Sequence, residues 1–392
     1  MNDNKEKPLV IYMMAGEPSG DFLGAQLIKS LRANSQREIL FYGIGGKKME
    51  AEGLKSIFPY HELSIMGIFE IIPNIFRILA HISSTVADII IKQPDMVITI
   101  DSPGFCFRVV EKLRKENFKS RFIHYVAPTV WAYKPERAKK CKALFDHILL
   151  LLPFEAPYFE KVGLNYTFVG HPIICESLTG DNERFRQKYE IPQQTILISL
   201  LPGSRENEIK RHMPIFTKAI AILANKYPDI ALTMSVPEHV KPLLGKYLND
   251  CPFRIIMTVD EQDKQDAFAA SDFAFVKSGT VSLEVAKAGT PMLISYKMNS
   301  LSVWWLKRYI KIKYVNLINI ILNKEVIPEI LQEQATPIAL ASCADNILSN
   351  PELMKRQRNH MSTAIKRLIP ENNEKPSDIA AQNILGTLSQ QS

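Results

Sequence analysis

The residues best suited to chemistry stand in four short loops, each directly after an apolar, β-rich run and before a helical pattern. In an open parallel sheet ligands bind at such places, because backbone N–H groups at the helix start can meet an anion. The first loop is Gly16-Glu17-Pro18-Ser19-Gly20-Asp21. Its glycines and serine permit close approach by a substrate; the same residues also read as a tight turn, with Asp21 capping a helix that starts near Phe22. The second loop, Asp101-Ser102-Pro103-Gly104, follows the run Met96-Val97-Ile98-Thr99-Ile100. A carboxylate at the end of a buried strand is partly desolvated and more basic, which suits a general base taking a proton from an attacking hydroxyl. Asp101 is therefore the candidate base, with capping of the helix at Pro103 as the structural alternative. His124 and His171 also stand near strand ends and have the chemistry for the same work, although a histidine so placed is often a structural hydrogen-bonding group.

The third loop is Leu201-Pro202-Gly203-Ser204-Arg205-Glu206. Gly203 lets the backbone approach a phosphate, Ser204 adds a hydroxyl, and the Arg205 guanidinium can make two parallel bonds to phosphate oxygens. The fourth, Lys277-Ser278-Gly279-Thr280, places backbone and hydroxyl donors at the positive end of a helix over Val281 to Ala288. Glu284, one turn further, is placed to accept hydrogen bonds from ribose hydroxyls, or is an ordinary first-turn glutamate favoured by the helix dipole. Neither half carries G-x-G-x-x-G, since Gly43-Ile44-Gly45-Gly46 lacks the last spacing, so a nicotinamide dinucleotide is disfavoured. There is no Walker A lysine motif and no acidic triplet suited to a divalent cation. No metal and no cofactor are expected, and a diphosphate would be handled by Arg205 and helix ends.

The elements that must position these loops alternate along the whole chain, short β-rich runs with longer helical ones, the signature of βα units on a parallel sheet. Two such series are read. Strands are expected at Leu9 to Ala15, Ile39 to Ile44, Met96 to Asp101, Arg121 to Val126, His147 to Leu152 and Tyr166 to Val169, then at Thr195 to Leu201, Ile230 to Val236, Phe253 to Thr258, Phe273 to Val276 and Met292 to Tyr296. A turn-rich linker falls near residues 171 to 185, so the expected fold is α/β, two doubly wound Rossmann-like domains facing each other across a cleft. The expected domains are 1–175, 176–345 and a helical tail, 346–392, packing back on the first.

At 392 residues the chain has room for two domains of roughly 150 to 200 residues. Its 46% hydrophobic and 23% charged residues are globular values, which excludes a disordered or collagenous chain. Five widely spaced cysteines without a C-x-x-C pair indicate neither a disulfide framework nor a thiolate zinc site, and read as reduced cytoplasmic core residues. The formal charge of +7 attracts anionic surfaces or phosphates but is far from that of a dedicated nucleic-acid binder. The short apolar run at the start is a strand rather than a signal peptide, and no transmembrane helix is expected.

Taken together and in order, GEPSGD at 16–21, IDSPGF at 100–105, HYVAPTVWAY at 124–133, LPFE at 152–155, VGHP at 169–172, LPGSR at 201–205 and SGTVSLE at 278–284 resemble bacterial lipid-A-disaccharide synthases, as does YVNLINIILNKEVIPEILQE at 314–333. The resemblance covers nearly the whole chain. It implies a GT-B glycosyltransferase that joins UDP-2,3-diacylglucosamine to 2,3-diacylglucosamine 1-phosphate and releases UDP. By resemblance Asp101 matches the catalytic aspartate, Arg205 and Ser278-Gly279-Thr280 match diphosphate contacts, and Glu284 matches a nucleoside contact. Asn319 matches an asparagine near the nucleotide, with Ile318 where the family usually has proline. Gly16, Glu17, Ser19, Gly20 and His124 are assigned to the acceptor side. The competing readings are a UDP-sugar 2-epimerase of the same fold and a non-catalytic module that binds phosphorylated lipid at a membrane surface.

Acylated substrates bring a membrane into the reading, peripheral attachment to the inner face of the inner membrane of a Gram-negative cell. Ile65, Ile68, Phe69, Ile72, Ile75, Phe76 and Leu79 recur at helical spacing, with Pro73 expected to divide two helices. Such a stripe is either core or an exposed membrane patch, for which Ile68, Phe69, Ile72 and Phe76 are named. Between Val285 and Lys324 there is no acidic residue, and Trp304, Trp305, Tyr309 and Tyr314 are interleaved with basic residues including Lys307, Arg308, Lys311 and Lys313. That mixture suits the interface of an anionic bilayer, or else forms a solvated helix face over a nucleotide pocket. A homodimer is admitted and the oligomeric state left open.

Overall fold

Apolar, β-branched runs become the strands of two wholly parallel sheets, as expected for strands buried on both faces. The computed structural model describes residues 7–63, 68–132, 134–174, 178–236, 240–248, 251–298 and 313–389. In the first sheet β1 (Leu9–Ala15), β2 (Ile39–Ile44), β3 (Lys55–Ser56), β4 (Met96–Ile100), β5 (Arg121–Tyr125), β6 (His147–Leu150) and β7 (Asn165–Phe168) lie in the order β3-β2-β1-β4-β5-β6-β7. In the second, β8 (Ile196–Leu201), β9 (Ile230–Met234), β10 (Arg254–Met257), β11 (Phe273–Lys277), β12 (Met292–Tyr296) and β13 (Glu329–Leu331) lie in the order β10-β9-β8-β11-β12-β13. Every expected strand is present; β3 and β13 are additional edge strands.

Each sheet reverses its winding beside its first strand, where β1 pairs with β4 and β8 pairs with β11. Those are the switch points at which open α/β sheets bind ligands beyond the strand ends. All four sequence-selected loops follow these four strands.

The chain divides into two units, Met1–Cys175 with Leu368–Ser392, and Glu176–Arg367. Helices Pro337–Leu348 and Pro351–Lys366 thus stay with the second unit, so the segment 346–392 is not one tail. The reason is packing: Gln357 binds both the amide and the carbonyl of Met292 on β12, whereas the last helix, Pro376–Ser389, lies on α1 (Pro18–Asn34). There Ser30 Oγ donates to Asp378 Oδ1 at 2.6 Å, and Ala380, Ala381 and Ile384 are buried.

The proline expected to break the apolar segment does not. A single helix, Ile68–Lys92, runs through Pro73. Pro73 lies near the helix start, and its missing N–H leaves only the Phe69 carbonyl without its usual partner. The side chains of Ile68, Phe69, Ile72 and Ile75 and all of Ile65 lie outside the described residues; Phe76 is 82% and Leu79 43% exposed.

Candidate functional site

In the first unit β4 is buried along its whole length, and the chain leaves it through Asp101 (φ 51°) and Ser102 (φ 46°), both left-handed. The Asp101 N–H donates to the Tyr125 carbonyl at 2.9 Å, which ties the turn to β5. Directly after β5 stands Val126, at φ 74°, an uncommon conformation for a β-branched residue. Three non-glycine residues in the left-handed region thus cluster at the carboxyl ends of two neighbouring strands, each costing about 1–3 kcal/mol, and such strain persists where the surroundings enforce it, most often at functional sites.

Helix α4 (Pro103–Lys115) has Ser102 rather than Asp101 at its N-cap position, so the capping alternative for Asp101 does not hold. Burial pushes the Asp101 carboxyl above the ordinary carboxylate range, and the Ser102 amide draws it part of the way back. The first loop abuts this turn. A Cβ on Gly16 would stand 2.5 Å from Ser102 Oγ, so glycine at that position lets the two loops meet. Glu17 is half-buried and Ser19 exposed.

Asp21 is not the cap of α1, which already begins at Pro18. Its buried carboxylate instead accepts from the amides of Gly46 at 2.8 Å, Lys48 at 3.1 Å and Met49 at 3.0 Å, fastening the loop after β2. His124 is also reassigned. It is fully buried, stacked on Phe145 and edge-on to Phe107, with Nδ1 2.6 Å from Thr99 Oγ1. Burial lowers its pKa to about 3, so it is a neutral packing residue of the core. His171 is buried likewise, and burial lowers it to about 4.

In the second unit the loops after β8 and β11 line one cavity of about 320 Å³, which brings together Gly203, Ser204, Arg205, Gly279 and Thr280. Gly203 has φ 121°, and any Cβ there would collide with the Glu208 side chain. Arg205, 60% exposed, opens helix α8 (Glu206–Ala224). Ser278 is less available, since its hydroxyl donates to the Val315 carbonyl at 3.0 Å. Two further lining residues carry charge: Lys277, which opens the fourth loop, and Glu208, two residues beyond the third; neither is a site candidate from the sequence. Lys277 is the last residue of β11, at the switch point, which was the signal that could have found it.

The family model for lipid-A-disaccharide synthetase matches residues 11–384. The chain belongs to that family. It is 40% identical over 383 residues to the lipid-A-disaccharide synthase of Rhodospirillum centenum, covering 97% of this chain and 95% of that one. The corresponding protein of Rickettsia bellii is 40% identical over 378 residues, covering 95% and 98%. Among solved structures, the Staphylococcus aureus MnaA–UDP co-structure superposes with a TM-score of 0.64 at 15% identity, covering 97% and 95% of the two chains. MurG from Acinetobacter baumannii gives 0.53 at 14% identity, covering 98% and 100%. These place the fold in the GT-B class.

Two residues matched to the synthetase family by resemblance have structural duties here. Glu284 Oε2 pairs with Lys264 Nζ at 2.5 Å and accepts from Gln265 Nε2 at 3.2 Å. Asn319 is fully buried, its Oδ1 accepting from the Val326 and Ile327 amides and its Nδ2 donating to the Ile327 carbonyl and Glu329 Oε1. The Ile318 N–H donates to Asn316 Oδ1 at 2.8 Å, a bond that the family's usual proline could not make.

Proposed function

We propose that this glycosyltransferase of lipid A disaccharide formation moves the diacylglucosaminyl group of UDP-2,3-diacylglucosamine onto the 6-hydroxyl of 2,3-diacylglucosamine 1-phosphate, inverting the anomeric carbon and releasing UDP. Asp101 takes the hydroxyl proton as the oxygen attacks, and the bond from the anomeric carbon to the diphosphate breaks. Gly203, Ser204, Arg205, Ser278, Gly279 and Thr280 hold the diphosphate, on which charge develops, so that fixed donors there lower the barrier. Gly16, Glu17, Ser19 and Gly20 shape the acceptor side. Glu284 meets the ribose through its other oxygen, and Asn319 holds the segment beside the nucleotide.

The observation that carries this reading is the strained Asp101–Ser102 turn at one switch point, in a chain whose other switch point gathers Arg205 and Lys277 around a pocket of about 320 Å³. Among the described residues no three His, Cys, Asp or Glu side chains group so as to hold a metal ion.

The acyl chains place the work at a membrane. Among the described residues no helix is long and apolar enough to cross one. Exposed Phe76 and Leu79 support peripheral attachment through helix α3 (Ile68–Lys92) on the cytoplasmic face of the inner membrane. The basic, aromatic stretch from Trp304 to Lys311 lies outside the described residues.

Mass spectrometry of the products from UDP-2,3-diacylglucosamine, with and without acceptor, tests the assignment. UDP release that requires acceptor and yields disaccharide 1-phosphate is the expected result. A 2-epimer formed without acceptor would replace the reading with an epimerase, and vesicle binding without turnover would leave only a lipid-binding module.

A further inference from the structure

The nucleotide pocket of the second unit already contains an anion of its own. Glu208 stands in the first turn of α8, its side chain only 14% exposed. Oε2 accepts from the Ser204 amide at 3.0 Å and the Arg205 amide at 3.3 Å. Oε1 meets Lys277 Nζ at 2.8 Å and lies 3.9 Å from Arg205 Nη1. Two amides at a helix start, an ammonium and a guanidinium make up the donor set that a phosphate seeks. Here one carboxylate engages all of them.

The arrangement is fixed from several sides. Gly203 must be glycine because Glu208 packs against it, and Lys277 lies over the Tyr296 ring at 5.3 Å. Burial alone would raise the Glu208 pKa, but the Lys277 ammonium, the Ser204 amide and Arg205 outweigh it and hold the carboxyl below its ordinary value. The group is ionised at neutral pH.

We infer that Glu208 is a built-in stand-in for phosphate, keeping the Gly203 loop and Lys277 in their binding arrangement when no nucleotide is present and, by its retained charge, loosening the hold on UDP. The inference rests on the nucleotide reading above. A carboxylate among the donors to a diphosphate repels it, so the bound anion is opposed while the neutral nucleoside is not. Lys277 then becomes a second cation for the diphosphate beside Arg205. Glu208 acts through these groups and is a positioning residue.

Titration calorimetry with uridine, UMP and UDP tests this on the full chain. Glu208→Gln keeps an oxygen acceptor for the two amides and removes the charge. UDP should bind about tenfold tighter, UMP less so, and uridine unchanged, with UDP becoming a stronger product inhibitor. Equal or weaker UDP binding with unchanged uridine affinity would overturn the inference, and so would a parallel change in all three ligands, which a general loosening of the fold produces. Lys277→Met, which leaves the helix cap intact, gives a second reading: UDP should weaken about tenfold at constant uridine affinity, and unchanged UDP binding would remove Lys277 from the site. Wild-type protein and Arg205→Ala separate the two levels. If the wild type does not bind UDP, or Arg205→Ala leaves binding unaltered, the nucleotide reading itself fails; if both behave as expected and Glu208→Gln does not tighten UDP, only the role of Glu208 fails.

Discussion

Asp101 is held where an aspartate is costly twice over, in a left-handed backbone and with its carboxyl partly buried. Its pKa is raised on folding, so the folded state keeps this proton after the unfolded chain has lost it. The associated stability is present at low pH and is lost as pH rises through the raised value, which leaves the ionised residue a burden at neutral pH. Asp101→Asn should therefore melt no lower than the wild type, bind UDP equally well, and lose about 10²- to 10⁴-fold in kcat, the usual reach of a general base. Near-normal turnover would take the base assignment away. The acid limb of the wild-type kcat/KM profile should lie above the ordinary carboxylate range, because catalysis needs the ionised form. Asp101 itself was legible in the sequence, being a carboxylate ending an apolar run. Its backbone strain was not, because a left-handed turn without glycine leaves no compositional mark. His124 misled for the opposite reason: a strand-end position says nothing about whether Phe107 and Phe145 close over the ring.

At the scale of the elements, the β6 exit and helix α3 make separate claims. Glu155 ends the short 3₁₀ turn Pro153–Glu155 after β6, is 3% exposed and accepts from the Leu152 amide at 3.1 Å. Burial pushes its carboxyl up to about 8, from 4.5. The folded chain keeps that proton while the unfolded chain releases it, so stability should fall as pH rises from 4.5 to about 8 and change little beyond. Glu155→Gln should flatten this part of the curve and melt higher than the wild type at pH 8, measured by thermal denaturation across the range; superimposable curves would mean that the carboxyl ionises normally. On α3, Phe76→Gln with Leu79→Gln should reduce sedimentation with anionic vesicles at an unchanged melting temperature, since exposed positions carry little folding energy. A marked fall in melting temperature would return these residues to the core. The strands legible beforehand are each four or more residues long, whereas β3 and β13, two and three residues long at sheet edges, are too short to show a period. Pro73 misled because a proline in the second turn of a long helix takes away one backbone bond, the one to the Phe69 carbonyl, without ending the helix.

Across the whole molecule, the first unit is completed by the far end of the chain. The polar tail carried only a weak helical pattern at Ile379, Ala380, Ile384 and Leu385, enough to read a helix and too little to fix what it covers. That depends on α1, which leaves Ser30 for Asp378 and a surface on which Ala380, Ala381 and Ile384 are wholly buried. Gly170, at φ 88°, shows the same closure, since a Cβ there would stand 2.7 Å from the Pro370 ring. Each unit has its own core, so a cavity opened under the last helix should weaken one unit and spare the other. Ile384→Ala should destabilise the first unit by about 2–5 kcal/mol, the range for removing a buried isoleucine's outer atoms. Hydrogen exchange read by mass spectrometry should then quicken in peptides from β1 to β7 and in α1, remain as in the wild type from β8 to β12, and leave UDP affinity unaltered. Exchange that quickens equally in both sheets would mean that the two units unfold as one cooperative body, and that the returning helix stabilises the whole chain rather than the unit on which it lies.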